Sequence, residues 1–419
     1  IMPMFIPSKN AATDRVNQYI SEKLIHYQSK RNHDFGGVDA NYVSYLSPYL
    51  RHRVITEEYV IKQALSHYPF NKIEKFIQEI LWRTYWKGWL QLRPKVWSDY
   101  RNDLEKTKLN HNLNDVLEYK TDIECFDNWT KELIENNYLH NHVRMWYASI
   151  WIHTLKLPWQ LGADFFMKHL VDGDPASNTL SWRWVAGLQT RGKSYLATKS
   201  NIHKFTDGRC TLEDHMLAKS PVEHVFLEYP PNSMKFNEMF KIEWDENTGL
   251  LITCEDLEVE TATDIEFPIK QAYVLVSTPE EKTIYSDRVL NFKKELCLDV
   301  VENINKKVHS VSSSDEIDLA SWIKENKIKK IVTLSTPVGY INDYLNGKKN
   351  EMKECSVEFV KIFREYDMKF WNFANKGFFN FFQKSQSQTY YLIAHGRIRT
   401  PDPKLRRLVL YPAELRAHF

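Results

Sequence analysis

The sequence has no uninterrupted apolar run approaching the ~18–20 residues that a membrane-spanning helix needs, and its mean hydropathy is −0.51. Its opening, Ile1-Met2-Pro3-Met4, shows neither the basic nor the apolar region of a secretory signal. Cysteine is scarce and unpatterned: Cys125, Cys210, Cys254, Cys297 and Cys355 are odd in number and include no C-x-x-C. They read as reduced thiols of a cytoplasmic protein, with neither a zinc site nor a disulfide framework. G-x-G-x-x-G and G-x-x-x-x-G-K-[ST] are both missing, which excludes the ordinary dinucleotide and P-loop fingerprints. No H-E-x-x-H or Cys/His cluster supports a metal, and no internal repeat is present. Lone histidines such as His67, His153, His169 and His203 read as core or surface residues rather than ligands.

What is abundant is aromatic. Over 419 residues, Phe, Trp and Tyr make up 14%, with 13 tryptophans, ten of them before residue 211. The hydrophobic share of 43% and charged share of 26% are those of an ordinary globular chain, with length for two or three domains. Charge is uneven: residues 1–210 carry 28 Lys and Arg against 22 Asp and Glu, residues 211–390 carry 22 against 30, and the last 29 carry 6 against 2. A Trp-rich, mildly basic half joined to an acidic half implies two domains with different partners.

The pattern from about 56 to 200 is helical. Ile77, Ile80, Leu81 and Tyr85 recur at one face, and Pro48, Pro94, Pro158 and Pro175 fall where helices begin or end. The polar section 203–247, with Pro221 and Pro230-Pro231, reads as a connector with one helix. Beyond it, β-rich runs at 250–254, 272–276, 308–311 and 330–334 alternate with helical segments near 286–305, 316–327, 337–347 and 371–384. That alternation predicts a parallel, doubly wound (Rossmann-like) α/β domain. The basic run Lys324, Lys327, Lys329 and Lys330 reads as a solvated helix end.

The densest stretch runs from Phe166 to Gly187. Asp172 and Asp174 flank Gly173, and Asn178 and Trp182 follow Asp174 at four-residue spacing, one helical turn apart. By itself this is a helix N-terminus, with Asp174 as N-cap, Pro175 at the first helical position and the tryptophans as core. The stretch also resembles the flavin-binding signature of the photolyase/cryptochrome family, D-G-D-x-A-x-N-x-x-x-W-x-W. Three further segments agree in the family's order. Ser44-Tyr-Leu-Ser-Pro-Tyr-Leu50, after Tyr27 and Arg31, is similar to its phosphate-cradling turn; Glu79-Ile-Leu-Trp-Arg83 to its E-L-I-W-R helix; Tyr138-Leu-His-Asn-His-Val-Arg-Met145 to its W-M-H-N-R-x-R-M.

The resemblance implies an α-helical FAD-binding domain at 20–215, a connector at 216–247, and an α/β antenna-like domain at 248–390 in permuted order. Tyr27, Ser44, Leu46, Ser47, Arg144, Asp172, Asp174 and Asn178 would hold FAD, with Arg144 and Asp172 paired beside the flavin ring and Asn178 at its N5. Asn at that place suits fully reduced flavin and favours repair over signalling. Glu79, Trp82, Asn141, Met145 and Trp184 would line the pocket for a flipped-out cyclobutane pyrimidine dimer, with Arg31, Arg83 and His142 toward the DNA. Trp182 and Trp159 would pass electrons to the flavin. The implied protein is a deoxyribodipyrimidine photolyase acting on dimer-containing DNA, a monomer without membrane or metal. The alternative is a cryptochrome-like blue-light photoreceptor.

Three departures stand against the pattern. His142 replaces the family's Arg. The surface member of the tryptophan chain has no Trp at its place, with Trp97, Trp146, Trp151 or a tyrosine as substitutes. The antenna-like match, from Leu250-Leu-Ile-Thr-Cys-Glu-Asp-Leu-Glu258 and Phe370–Phe379, rests on pattern alone, so whether a pterin or deazaflavin binds there is open. Residues 391–419, with His395-Gly-Arg-Ile-Arg-Thr-Pro-Asp-Pro, look like a conceptual peptide read across a transfer-RNA gene and are given no function; a basic nucleic-acid-binding tail is the alternative.

Overall fold

The structure is a computed structural model that describes residues 4–236 and 241–395. From Lys9 to Phe205 every regular element is helical. Helix starts are set by side-chain caps: Ser8 accepts the Ala11 N–H, Thr56 the Tyr59 N–H and Asp174 the Ser177 N–H. Pro94 and Pro175 open their helices, and Pro158 is the N-cap of the Trp159–His169 helix. The long Phe70–Gln91 helix is the axis of this layer. Against it pack the Glu57–His67, Pro94–Lys108 and Pro175–Ala186 helices.

Two glycines permit close approach. A Cβ on Gly162, in the Trp159–His169 helix, would come within 2.2 Å of the Trp182 ring, and one on Gly88 within 2.9 Å of the Trp371 ring. Both helices can pack only because those side chains are missing.

The second half is a five-stranded parallel sheet of β1 (Thr248–Thr253), β2 (Ile269–Leu275), β3 (Val308–Ser314), β4 (Lys330–Leu334) and β5 (Glu358–Ile362). Its order is β3-β2-β1-β4-β5, the doubly wound arrangement with its topological switch between β1 and β4. β1 is buried along its whole length, which explains its continuous apolar run. Four strands were expected. The edge strand β5 was not, because Glu-Phe-Val-Lys-Ile alternates too weakly to stand out. The segment expected as one helix at 371–384 is two, Glu365–Trp371 and Phe378–His395, broken before Gly377. Both return to the helical layer and pack on the Phe70–Gln91 helix. The section expected as a connector begins with the end of the Lys199–Phe205 helix, and its other regular element among the described residues is a short 3-10 turn at Asp214–Met216.

The sheet's carboxyl edge faces the helical layer through buried ion pairs. Arg51 donates to both carboxylate oxygens of Glu255 at 3.0 Å. Arg53 bonds Glu57, Asp256 and Asp367, and Arg364 closes on Asp256. His52 completes the seam, its ring bonding the Cys254 carbonyl at 2.8 Å and its own carbonyl accepting the Leu257 N–H.

One expectation is corrected. Cys125 and Cys210 form a disulfide across 85 residues, their Cα atoms 5.8 Å apart. The fold brings the start of the Glu124–Asn136 helix against the turn after Phe205, a proximity that no local spacing announces. Cys254, Cys297 and Cys355 are free. Among the described residues no helix is long and apolar enough to cross a membrane. The expected tail lies outside the described residues from 396 onward, while 391–395 continue the last helix.

Candidate functional site

The site is assembled where the Phe70–Gln91, Asn141–Ser149 and Pro175–Ala186 helices meet the Ser44–Leu50 turn. Asp172, in the turn before the Pro175–Ala186 helix, is its most heavily bonded residue. Arg144 donates to both of its oxygens at 3.0 and 2.8 Å, and the Ser47 hydroxyl donates to one at 2.6 Å. Burial alone would raise this carboxyl; the Arg144 charge and these hydrogen bonds outweigh it and hold Asp172 below the usual carboxylate range. Asp174 caps the helix at 2.8 Å and faces Arg51 at 3.9 Å. Arg51 also donates to the Gly173 carbonyl at 2.6 Å, fixing the turn between the two aspartates.

Asn178 is oriented by its neighbour. Its amide nitrogen donates to the Ala163 carbonyl at 2.8 Å, which leaves the side-chain oxygen as a free acceptor. Ser181, three residues on along the same face, is solvent-accessible although its helix is otherwise mostly inside the protein. Glu79 tells the same story from the facing helix. It is accessible to solvent, yet burial raises its carboxyl above the ordinary range, with Arg31 and Arg83 pulling the other way. Its carboxyl lies within the field of the Arg31 and Arg83 charges. One Arg83 nitrogen, Nη1, is buried there without a partner.

Tyr27 and Arg31 join this group: Glu79 and Arg31 both act on the buried Tyr27 hydroxyl, which burial first of all pushes up. Asn141 is exposed, and Met145 and Trp184 are half-buried, with Trp184 stacked on Tyr195 at 5.6 Å between ring centroids. In the Ser44–Leu50 turn, the Ser44 hydroxyl accepts the Leu46 N–H at 3.3 Å, and the Leu46 side chain is core.

Other expected residues have acquired partners that sequence could not foretell. Trp82 carries Phe378 stacked on one ring face, with centroids 3.7 Å apart and planes within 9°. His142 stacks on Trp146 at 4.2 Å and bonds the Asn32 carbonyl at 2.9 Å, and burial lowers its pKa. Trp182 touches Trp151 (5.9 Å) and Phe166, whereas Trp159 stacks on Tyr100 (5.3 Å). The sequence reading passed over Arg51, which stands one residue beyond the Ser-Pro-Tyr-Leu motif, and Ser181, which carries no signal of its own.

These features fit a flavin nucleotide. The site supplies an oriented acceptor at Asn178, an unspent guanidinium N–H at Arg83, and an anchored Asp172–Arg144 pair.

Residues 76–207 match the family model of the FAD binding domain of DNA photolyase. A deoxyribodipyrimidine photo-lyase of Agrobacterium fabrum is 30% identical over 200 residues, 44% of this chain and 39% of that protein. One of Streptomyces griseus is 29% identical over 186 residues, covering 43% of this chain and 39% of that protein. Among solved structures, a bacterial class III photolyase from Agrobacterium tumefaciens aligns with a TM-score of 0.40 at 26% identity, over 48% of this chain and 43% of that one. A Synechocystis cryptochrome aligns at 0.39 and 23%, over 48% and 44%. The chain thus spans about two fifths of the length of the curated relatives it matches.

Proposed function

We propose, for a chain that belongs to the photolyase/cryptochrome family through its FAD-binding domain, that it repairs cyclobutane pyrimidine dimers in DNA by light-driven electron transfer. Reduced FAD, when bound, supplies one electron to the dimer on absorbing blue or near-UV light and recovers it once the ring has opened. The observation that carries the reading is Asn178: with its amide nitrogen committed to Ala163, its oxygen is fixed as an acceptor for the N–H of reduced flavin. Tyr27, the Ser44–Ser47 turn, Arg144, Asp172 and Asp174 hold the cofactor. Arg83, expected at the DNA, has a buried N–H without a partner, which supports a role toward the cofactor as well.

Glu79, desolvated and accessible, donates a hydrogen bond to the flipped pyrimidine edge when protonated and so favours the charge that develops there. Trp184 and Trp82 flank the dimer, and Asn141 and Met145 close the pocket. Trp182 and Trp159 carry electrons that reduce oxidised flavin. Binding through backbone phosphates is salt-dependent and largely independent of sequence. We place the helical FAD domain at 20–215, the connector at 216–247 and the α/β domain at 248–390, in a monomer working in the cytoplasm.

The test is anaerobic. Photoreduced, yellow-to-colourless protein is mixed with oligothymidine containing cyclobutane dimers, illuminated, and followed by the return of thymine absorbance. Recovery in light and none in darkness is expected. Bound, photoreducible FAD without recovery favours a photoreceptor, the reading that His142 packed on Trp146 in place of a DNA-facing Arg supports.

A further inference from the structure

We propose that Trp97 is the terminal electron donor for flavin photoreduction and that Asp343, from the α/β half, accepts its indole proton. This rests on the reading of Trp182 and Trp159 as electron carriers. The route is a run of aromatic rings. Trp182 lies against Gly162, one turn along the helix from Trp159. Trp159 stacks on Tyr100 at 5.3 Å and 25°, and Tyr100 stands 5.6 Å from Trp97. All four rings are buried.

What distinguishes a terminus from a way station is a destination for the proton. One-electron oxidation turns an indole N–H or a phenol O–H into a strong acid, and the oxidised ring persists only if that proton can leave. Tyr100 offers none: its hydroxyl is buried with no partner. Trp151, a second tryptophan beside Trp182, donates its N–H to the Pro158 carbonyl at 2.9 Å, and a carbonyl is no base. Trp182 has a buried N–H with no partner. Trp97 alone on this route donates to a carboxylate, Asp343 Oδ2, at 2.8 Å.

Asp343 is solvent-exposed, so the proton has an exit. Its surroundings suit a base: burial raises its carboxyl above the usual range, against the Trp97 hydrogen bond and the Arg101 charge. Arg101, 5.9 Å from the Trp97 ring, is itself paired with Glu280, and Tyr340 closes the other side at 4.9 Å.

In the step, one electron leaves Trp97 and one enters the cofactor through Tyr100, Trp159 and Trp182, while the Nε1 proton passes to Asp343. A thiol in solution then returns a hydrogen atom to Trp97, and Asp343 releases its proton to water.

The experiment uses FAD-loaded protein with oxidised flavin and excess thiol, comparing wild type with Trp97→Phe, Asp343→Asn, Trp159→Phe and Trp182→Phe. The dark visible spectrum verifies flavin loading in each. Photoreduction is expected to fall by about tenfold or more in Trp97→Phe, a barrier change of one decade in rate. In Asp343→Asn the transient absorption should show the cationic rather than the neutral indole radical, with faster recombination. Independently of any photochemistry, the indole ¹H–¹⁵N resonance absent from Trp97→Phe should shift in dark Asp343→Asn. Wild-type photoreduction in Trp97→Phe, with Trp159→Phe inactive, overturns the proposal and leaves the carrier reading standing. An unmoved indole resonance in Asp343→Asn also overturns it. Wild-type photoreduction in Trp159→Phe and Trp182→Phe overturns the carrier reading and the proposal with it.

Discussion

Arg51 and Glu255, 204 residues apart, face each other with both nitrogen–oxygen distances at 3.0 Å, and the same guanidinium donates to the carbonyl of Gly173 between the two site aspartates. The end of β1 is thereby tied to the turn that carries Asp172. Both partners are buried, so removing one strands the other. Glu255→Ala should cost about 3–5 kcal/mol, as breaking buried pairs does. The double change Arg51→Met with Glu255→Leu should restore only part of that stability, because apolar replacement of a buried pair is often neutral but here also takes a cation from buried Asp174. It should not restore flavin retention, since Gly173 has lost its donor. Thermal melts and flavin absorbance after desalting decide the matter. Full flavin retention in the double variant would disconnect the clamp from the site.

Asp172 is expected to be the residue most needed for the cofactor. Asp172→Asn keeps the shape and deletes the charge, leaving Arg144 facing a neutral amide in a buried place. Flavin content should drop at least about tenfold, the equivalent of one charge-assisted hydrogen bond. Ser47→Ala removes one of the three bonds and should have the smaller effect. Titration of the apoproteins with FAD, read by flavin fluorescence, ranks them. Equal affinity in all three proteins would contradict the assignment.

The helical half was legible because its chemistry is local. Caps, prolines at helix starts and the D-G-D-x-A-x-N spacing lie within a few turns, and the N-cap role expected of Asp174 is the one it plays. The doubly wound sheet was legible because its inner strands carry short, buried β-rich stretches such as 250–252 and 331–332, whereas edge strand β5 mixes charged and apolar residues. What could not be read came from contacts between residues far apart in sequence. The Cys125–Cys210 bridge, the Arg51–Glu255 pair and Phe378 on Trp82 each join segments 85 residues or more apart, and no periodicity reports such pairings. The unspent Arg83 N–H is likewise invisible until the neighbouring side chains have chosen their partners.

Glu79 yields a pH prediction with a definite sign. Burial raises its carboxyl, so the protonated, donating form persists above the usual carboxylate range despite Arg31 and Arg83. Repair per absorbed photon should therefore be highest on the acid side and decline as pH rises through that raised value. Glu79→Gln, a donor at every pH, should flatten the profile while keeping most of the yield, whereas Glu79→Ala should lower it throughout with FAD still bound. A declining profile that survives in Glu79→Gln would assign the titration to another group.

Glu132 supplies a stability test away from the chemistry. Burial first, and then the nearby Asp34 charge, push its carboxyl up to about 7, with Arg209 opposing. In the unfolded chain the group titrates near its ordinary value of 4.5. Below that value both states are protonated, and Glu132 costs the fold nothing. Between 4.5 and about 7 the unfolded chain releases the proton while the folded chain keeps it, so stability falls as pH rises through this window and stays low above it. Because the side chain is partly exposed, the loss is discounted to about 1–2 kcal/mol. Glu132→Gln should consequently raise the melting temperature at pH 8 and leave it nearly unchanged at pH 4. An equal gain at both values would mean that shape, not charge, limits the fold at this position.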